Sequence, residues 1–225
     1  MTRSVSDGTG AETGSDERVA PALPERILQA LITCLDEIGY AATSIQRIQE
    51  RAGVSRGALT YHFASKEDLM VEAAEHLLRP TQAPRRLQRR QPRLSRADVV
   101  ADIEWMWTKL VDTREGRALM EILLAARCDP VLRARISPTF SRWNRNINDR
   151  LLAICAGTGQ DPETLTEIWS IARVFMRGLN TQRQFDDHDA QIKALIDRFG
   201  RILAALLVPE DPPAPAAPAA AGNIG

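Results

Sequence analysis

Apolar positions recur every three to four residues through the middle of this chain, and hardly anywhere every second residue. Such a repeat puts apolar side chains on one face of a helix, so the pattern predicts helices and no convincing strand. Leu28, Leu31, Leu35 and Ile38 form the first stripe, and Gly39 stands where a C′ glycine belongs. Thr43, with Gln46 three residues on, reads as a capping box opening a helix with Ile45, Ile48 and Ala52 on one face. Ser55 is placed to cap the next helix, whose inner side would be Ala58, Leu59 and Phe63. Ser65 with Asp68 opens a fourth along Leu69, Ala73 and Leu77, which Pro80 ends.

The same signals continue downstream. Ser95 opens a helix carrying Ile103, Met106, Trp107, Leu110 and Val111, and residues 114–127 give another with Leu119, Ile122, Leu123 and Ala126. Asp129-Pro130 and Asp161-Pro162 each fit an N-cap followed by a proline at the first helical position. Phe140, Trp143, Ile147, Leu151 and Ile154 follow the first pair, with a kink or interruption expected at Pro138. Leu165, Ile168, Ala172, Phe175 and Leu179 follow the second, and Ile192, Leu195, Phe199, Ile202 and Leu206 mark the last helix. About nine helices emerge. Residues 1–23 lack apolar periodicity and read as a disordered arm, and 209–225 as a Pro/Ala-rich tail. The Arg- and Pro-containing stretch 79–96 reads as a solvated loop.

Composition narrows the function classes. Of 225 residues 44% are apolar, enough for a packed core, while 29 basic and 29 acidic residues leave no net field to attract nucleic acid unspecifically. Cys34, Cys128 and Cys155 are too scattered for a disulfide framework or a Cys-x-x-Cys site. His76 and His188 have no second ligand at i+4, so neither a metal nor a cofactor is implied. No apolar run approaches the roughly 18 residues of a membrane span, and the N-terminus has no signal-like apolar region; a cytoplasmic protein is expected.

Gly53-Val54-Ser55-Arg56-Gly57 carries two meanings. It matches Gly-x-Ser-x-Gly, the nucleophile elbow of serine hydrolases, and an Asp187-His188 pair follows in the right chain order. An elbow, however, needs a buried strand before the serine, and here the preceding segment is charged and helical. The alternative is a helix-turn-helix, in which Gly53 lets two helices meet steeply and Val54 and Leu59 pack inward. Arg56 could then pair bidentately with guanine, and Gly57 would let the backbone approach a base edge. Tyr61, His62 and Lys66 suit phosphates, as do the helix N-termini at Ser44 and Ser55.

The segment from Glu25 to Leu69 resembles the DNA-binding domain of the TetR family of bacterial transcription regulators. The resemblance rests on Ile48, on Ala52-Gly53-Val54-Ser55-x-Gly57-x-Leu59, and on His62-Phe63 with Ser65-Lys66. Two positions depart from the pattern: Gln49 replaces a small alanine, and Thr60 stands where an aromatic is usual, with Tyr61 next. By position the resemblance implies DNA contacts from Ser44, Gln46, Arg56, Gly57, Ala58, Thr60, Tyr61, His62 and Lys66.

The expected architecture is therefore all-α, with a three-helix helix-turn-helix domain (24–70) joined to a helical bundle (71–208) for ligand binding and dimerisation. The last two helices carry broad apolar faces, including Ile168, Phe175, Leu179, Ile192, Leu195, Phe199 and Leu206. These could build a two-fold four-helix interface or simply close the monomer's own core. Met106, Trp107, Phe140, Trp143, Phe175 and Met176, with Asn144, Asn148 and Asn180 as polar anchors, are candidate effector contacts. Few charges lie on these stripes, which favours an apolar or weakly polar effector. The expectation is a homodimeric repressor of double-stranded operator DNA, released by a small molecule, with the helix from Lys66 to about Arg79 as lever. A helical ligand-binding protein without DNA binding and a hydrolase using Ser55 are the competing classes.

Overall fold

The computed structural model describes residues 22–79, 94–156, 158–185 and 189–208. Both terminal segments, Pro80, most of the Arg-rich stretch and the Asp187-His188 pair lie outside them. The described residues form nine α-helices and no strand: α1 Leu23–Ala42, α2 Ile45–Ala52, α3 Arg56–His62, α4 Lys66–Leu77, α5 Arg96–Met106, α6 Arg114–Cys128, α7 Pro130–Cys155, α8 Pro162–Gln182 and α9 Asp189–Leu207. A π-helical turn, Trp107–Val111, extends α5.

The helix starts follow the sequence signals, with one shift. Ser55, Ser65, Ser95, Asp129 and Asp161 each accept a backbone N–H from the first turn they open. At α2 the cap is Ser44, not Thr43: Ser44 accepts from Arg47 N at 3.3 Å, while Thr43 is buried and its hydroxyl donates to the Gly39 carbonyl at 2.7 Å. Gly39 causes the shift. Its φ of +71° and ψ of 173° break the helical path, freeing a carbonyl that Thr43 satisfies. Gln46, expected to complete the box, donates instead to Glu50.

Pro138 does not interrupt α7, which runs unbroken from Pro130 to Cys155. The proline lies on the exposed side, and the carbonyl it leaves without an N–H belongs to exposed Ala134, which water can satisfy. Ser137 donates to the Arg133 carbonyl alongside, at 2.7 Å.

Two apolar cores result. The first joins α1–α4 to α6 and the start of α7, through Leu31, Leu35, Ile48, Leu59, Leu69, Ile122 and Leu132. The second joins α5, α8, α9 and the end of α7, through Ile103, Trp107, Trp169, Met176, Phe199 and Leu203. The N-terminal core thus extends past residue 70, because α6 lies against α1 and α7 against α4. Fully buried Leu35 or Leu59 cut back to alanine would cost roughly 2–5 kcal/mol each.

Candidate nucleic-acid interface and effector region

The turn between α2 and α3 is held from three sides. Gly53 takes the left-handed conformation at φ +63° and ψ 42°, and its N–H closes α2 onto Gln49 and Glu50 carbonyls. From α1, Arg26 donates to the Ala52 carbonyl at 2.7 Å, fixing the end of α2 with a cation where the helix dipole favours one. Ser55 caps α3 by accepting from Ala58 N at 3.1 Å. Beneath the turn, Ile48, Ala52 and Leu59 are buried and Val54 packs against them. A helix, not a strand, precedes Ser55, so the strained elbow geometry is absent and its hydroxyl serves as a helix cap.

Outward, α3 presents Arg56, Gly57, Thr60, Tyr61 and His62, all exposed, with Tyr61 at 85%. Arg56 makes no ion pair among the described residues. A β-carbon on Gly57 would meet nothing within 4 Å, so the glycine leaves open space before the helix. The Thr60 hydroxyl donates back to the Arg56 carbonyl at 3.0 Å. Tyr61 and His62 meet edge-on at 5.1 Å between ring centroids. Ser44 and Gln46 are exposed at the start of α2, and Ala58 is half-buried.

Lys66 is differently placed. Its ammonium donates to the Tyr40 carbonyl at 3.1 Å and lies 4.2 Å from the Tyr40 ring centroid. Burial lowers its pKa from the usual lysine range. It clamps the start of α4 to the end of α1, a role sequence spacing could not reveal. The same joint is gripped by α6, where the Glu121 carboxylate accepts the Tyr40 N–H at 2.7 Å.

The family model for "Bacterial regulatory proteins, tetR family" matches residues 27–73, which contain α2, α3 and the turn between them. An uncharacterised HTH-type transcriptional regulator of Mycobacterium tuberculosis is 32% identical over 149 residues, covering 64% of this chain and 73% of that protein. The chain belongs to the TetR family. Its helix-turn-helix is that of a DNA-binding transcription regulator. A second relative, the HTH-type transcriptional repressor AcnR of Corynebacterium glutamicum, is 30% identical over 117 residues, covering 49% of this chain and 54% of that one. The fold is similar to that of a transcriptional regulator from Rhodococcus sp. Rha1, matched with a TM-score of 0.65 at 20% identity over 82% of this chain and 95% of that one. Among the described residues, no helix is long and apolar enough to cross a membrane.

The candidate effector residues of this TetR-family chain separate into groups. Trp107 and Met176 are buried in the second core, with Met106 packed against it. Asn180, also buried, donates to the Val111 carbonyl at 3.0 Å and so closes the π-helical turn. Phe175 stacks on Phe199 of α9, with ring centroids 4.0 Å apart. Phe140 and Trp143 stack on each other at 5.8 Å, and Asn144 is half-buried on the same helix. Charges do reach this inner face: Arg177 lies over both the Phe140 and Trp143 rings, and Arg173 donates to Asn148 at 2.9 Å.

The apolar faces of α8 and α9 divide in two. Ile168, Leu179, Ile192 and Phe199 are buried in the monomer's own core, and Phe175 is half-buried beside them. Leu195 and Leu206 remain exposed, and with Ile202 they form one stripe on α9; Ile171 and Val174 are exposed on α8.

Proposed function

We propose that this chain is a homodimeric repressor whose α3 reads operator DNA and whose C-terminal helices take a small-molecule effector. The exposed, unpaired Arg56 at the head of a capped, buttressed α3 carries the DNA-reading part. A fork of guanidinium donors held there can pair with the O6 and N7 of guanine. Gly57 admits close approach, the Thr60 methyl suits a thymine methyl, and Tyr61 and His62 reach phosphates. Ser44, Gln46, Ser55 and Ala58 lie at the helix starts that would face the backbone. Lys66 enters this reading as a clamp on the α1 end and as a weaker phosphate contact.

Dimerisation is proposed through the exposed α9 stripe of Leu195, Ile202 and Leu206 together with Ile171 and Val174 of α8. Large apolar residues exposed on both of the last two helices favour an interaction surface, which a two-fold axis would pair with its own copy. Such a regulator would act in the bacterial cytoplasm, where its operator is.

Footprinting on the DNA flanking the chain's own gene should protect a pseudo-palindrome, with affinity falling steeply as salt rises. Arg56→Ala should weaken operator binding by about 1–3 kcal/mol and relax preference at one base position. Protein without salt-dependent affinity for any such fragment would leave only the ligand-binding alternative.

A further inference from the structure

Helices α7 and α8 pair residues in reverse order along their seam. Trp169 meets Cys155, Arg173 meets Asn148, and Arg177 meets Phe140 and Trp143. On α8 these three residues are four apart and form one ladder on the side facing α7. It is distinct from the exposed stripe of Ile171 and Val174.

Among the described residues, two guanidinium groups in this ladder have no carboxylate partner. Arg173 donates to Asn148 Oδ1 and Ser170 Oγ, both at 2.9 Å and both neutral. Arg177 lies with its guanidinium carbon 5.2 Å from the Phe140 centroid and 5.8 Å from that of Trp143. Neither makes an ion pair among the described residues, and Asp149, the acid nearest in sequence on α7, is exposed and joins neither. Burial depresses both guanidinium pKa values, and the charge of Arg173 depresses that of Arg177 further. One turn earlier, the buried Trp169 indole N–H has only the Cys155 thiol, a weak acceptor, facing it.

Elsewhere this chain pairs its half-buried arginines with acids, as Arg117 with Asp36 and Asp112 and Arg183 with Asp112. Adjacent like charges, partly desolvated and left without an anion, are costly unless something completes them. The flat guanidinium forks match a carboxylate bidentately, and stacked aromatic rings receive a planar apolar body. Arg173, Arg177, Trp143 and Asn144 are each only half-buried, so the seam is reachable from solvent.

We propose that the α7–α8 seam binds an anionic effector, a planar organic acid whose carboxylate is held by Arg173 and Arg177 and whose ring system packs on Phe140 and Trp143. This rests on the reading of the chain as a ligand-responsive regulator, and it replaces an apolar or weakly polar effector with an acidic one.

The test uses the full chain with 2-naphthoate and its neutral twin 2-naphthamide, followed by tryptophan fluorescence and by melting temperature. Naphthoate should quench fluorescence and raise the melting temperature, and the amide should bind at least about tenfold more weakly. Arg177→Met and Arg173→Gln should each weaken naphthoate binding by about tenfold or more. Their unliganded melting temperature should stay at or above that of the wild type, since each removes an unpaired charge. Equal binding of acid and amide, an undiminished naphthoate response in both variants, or no naphthoate binding up to millimolar concentration overturns the proposal. Operator gel shifts on the same samples separate the two readings. Wild-type protein that binds operator but not naphthoate sinks the anion site alone, whereas naphthoate binding without operator binding sinks the regulator reading and leaves the site standing.

Discussion

Gly39 and Gly53 both have positive φ, +71° and +63°, yet they occupy different regions of backbone space. Gly53, at ψ 42°, is left-handed helical, a conformation asparagine also visits. Gly39, at ψ 173°, lies where essentially only glycine is found, and a β-carbon there would stand 3.1 Å from Glu121 Oε2. That carboxylate is the acceptor of the Tyr40 N–H, so displacing it would also leave an amide without its partner. Gly53→Asn should therefore cost less than about 1 kcal/mol, and Gly39→Asn about 1–3 kcal/mol or more. Urea unfolding of the two variants decides this; equal losses would mean that the α1–α2 joint has no special backbone requirement.

Helix starts were the most legible elements, because a cap is settled within four residues. Ser55, Ser95, Asp129 and Asp161 sit where their sequence signals place them, and even the miss at Thr43 is a one-residue shift caused by Gly39. The cap of α4 makes a pH prediction. Asp68 is held below the usual carboxylate range, first by the Ser65 hydroxyl, which donates to it at 2.8 Å, and then by Arg135. A carboxyl depressed in the folded state contributes stability above its unfolded pKa of about 3.9 and loses it as pH falls through the folded value. Asp68→Asn should thus be less stable than wild type at neutral pH, with the gap narrowing as the solution is acidified below about pH 4. A gap that stays constant down to pH 3 would remove the carboxylate from the account. Helix faces were harder to read than helix ends. On α9 the expected stripe included Leu195, Ile202 and Leu206, but the structure buries Ile196, Leu203 and Leu207, each one residue on. Apolar residues surround much of this helix, so its rotation is set by the neighbours it packs on and not by its own period. Arg173 and Arg177 were hidden for a related reason: a charged residue in a helical pattern reads as solvent-facing until a second helix is placed over it.

Across the molecule, half-buried charges join the DNA-reading end to the C-terminal helices. Arg117 of α6 grips Asp36 of α1 through both carboxylate oxygens, at 2.5 and 3.2 Å, and reaches Asp112 after the π-helical turn at 3.4 Å. Asp112 also pairs with Arg183 at the end of α8, and Arg183 with Asp189 of α9 at 2.9 Å. Asp36 lies three residues before Gly39, where the chain turns towards α2. The expected lever was α4 alone, yet α6 holds the same joint through Arg117 and Glu121, so a displacement of α8 has a second route to α3. Continuity in space does not establish coupling; a double-mutant cycle does. Asp36→Asn and Arg183→Met remove the outer partners of the two acid–base links while leaving Arg117 and Asp112 in place. Residues without shared partners lose stability additively, within about 0.3–0.5 kcal/mol. If the chain of charges acts as a unit, the double variant should depart from additivity by more than that in urea unfolding, and operator affinity should show the same non-additivity. Additive losses in both measurements would reduce the network to separate ion pairs and return the lever to α4, where Lys66 clamps Tyr40 and Asp68 meets Arg135 of α7.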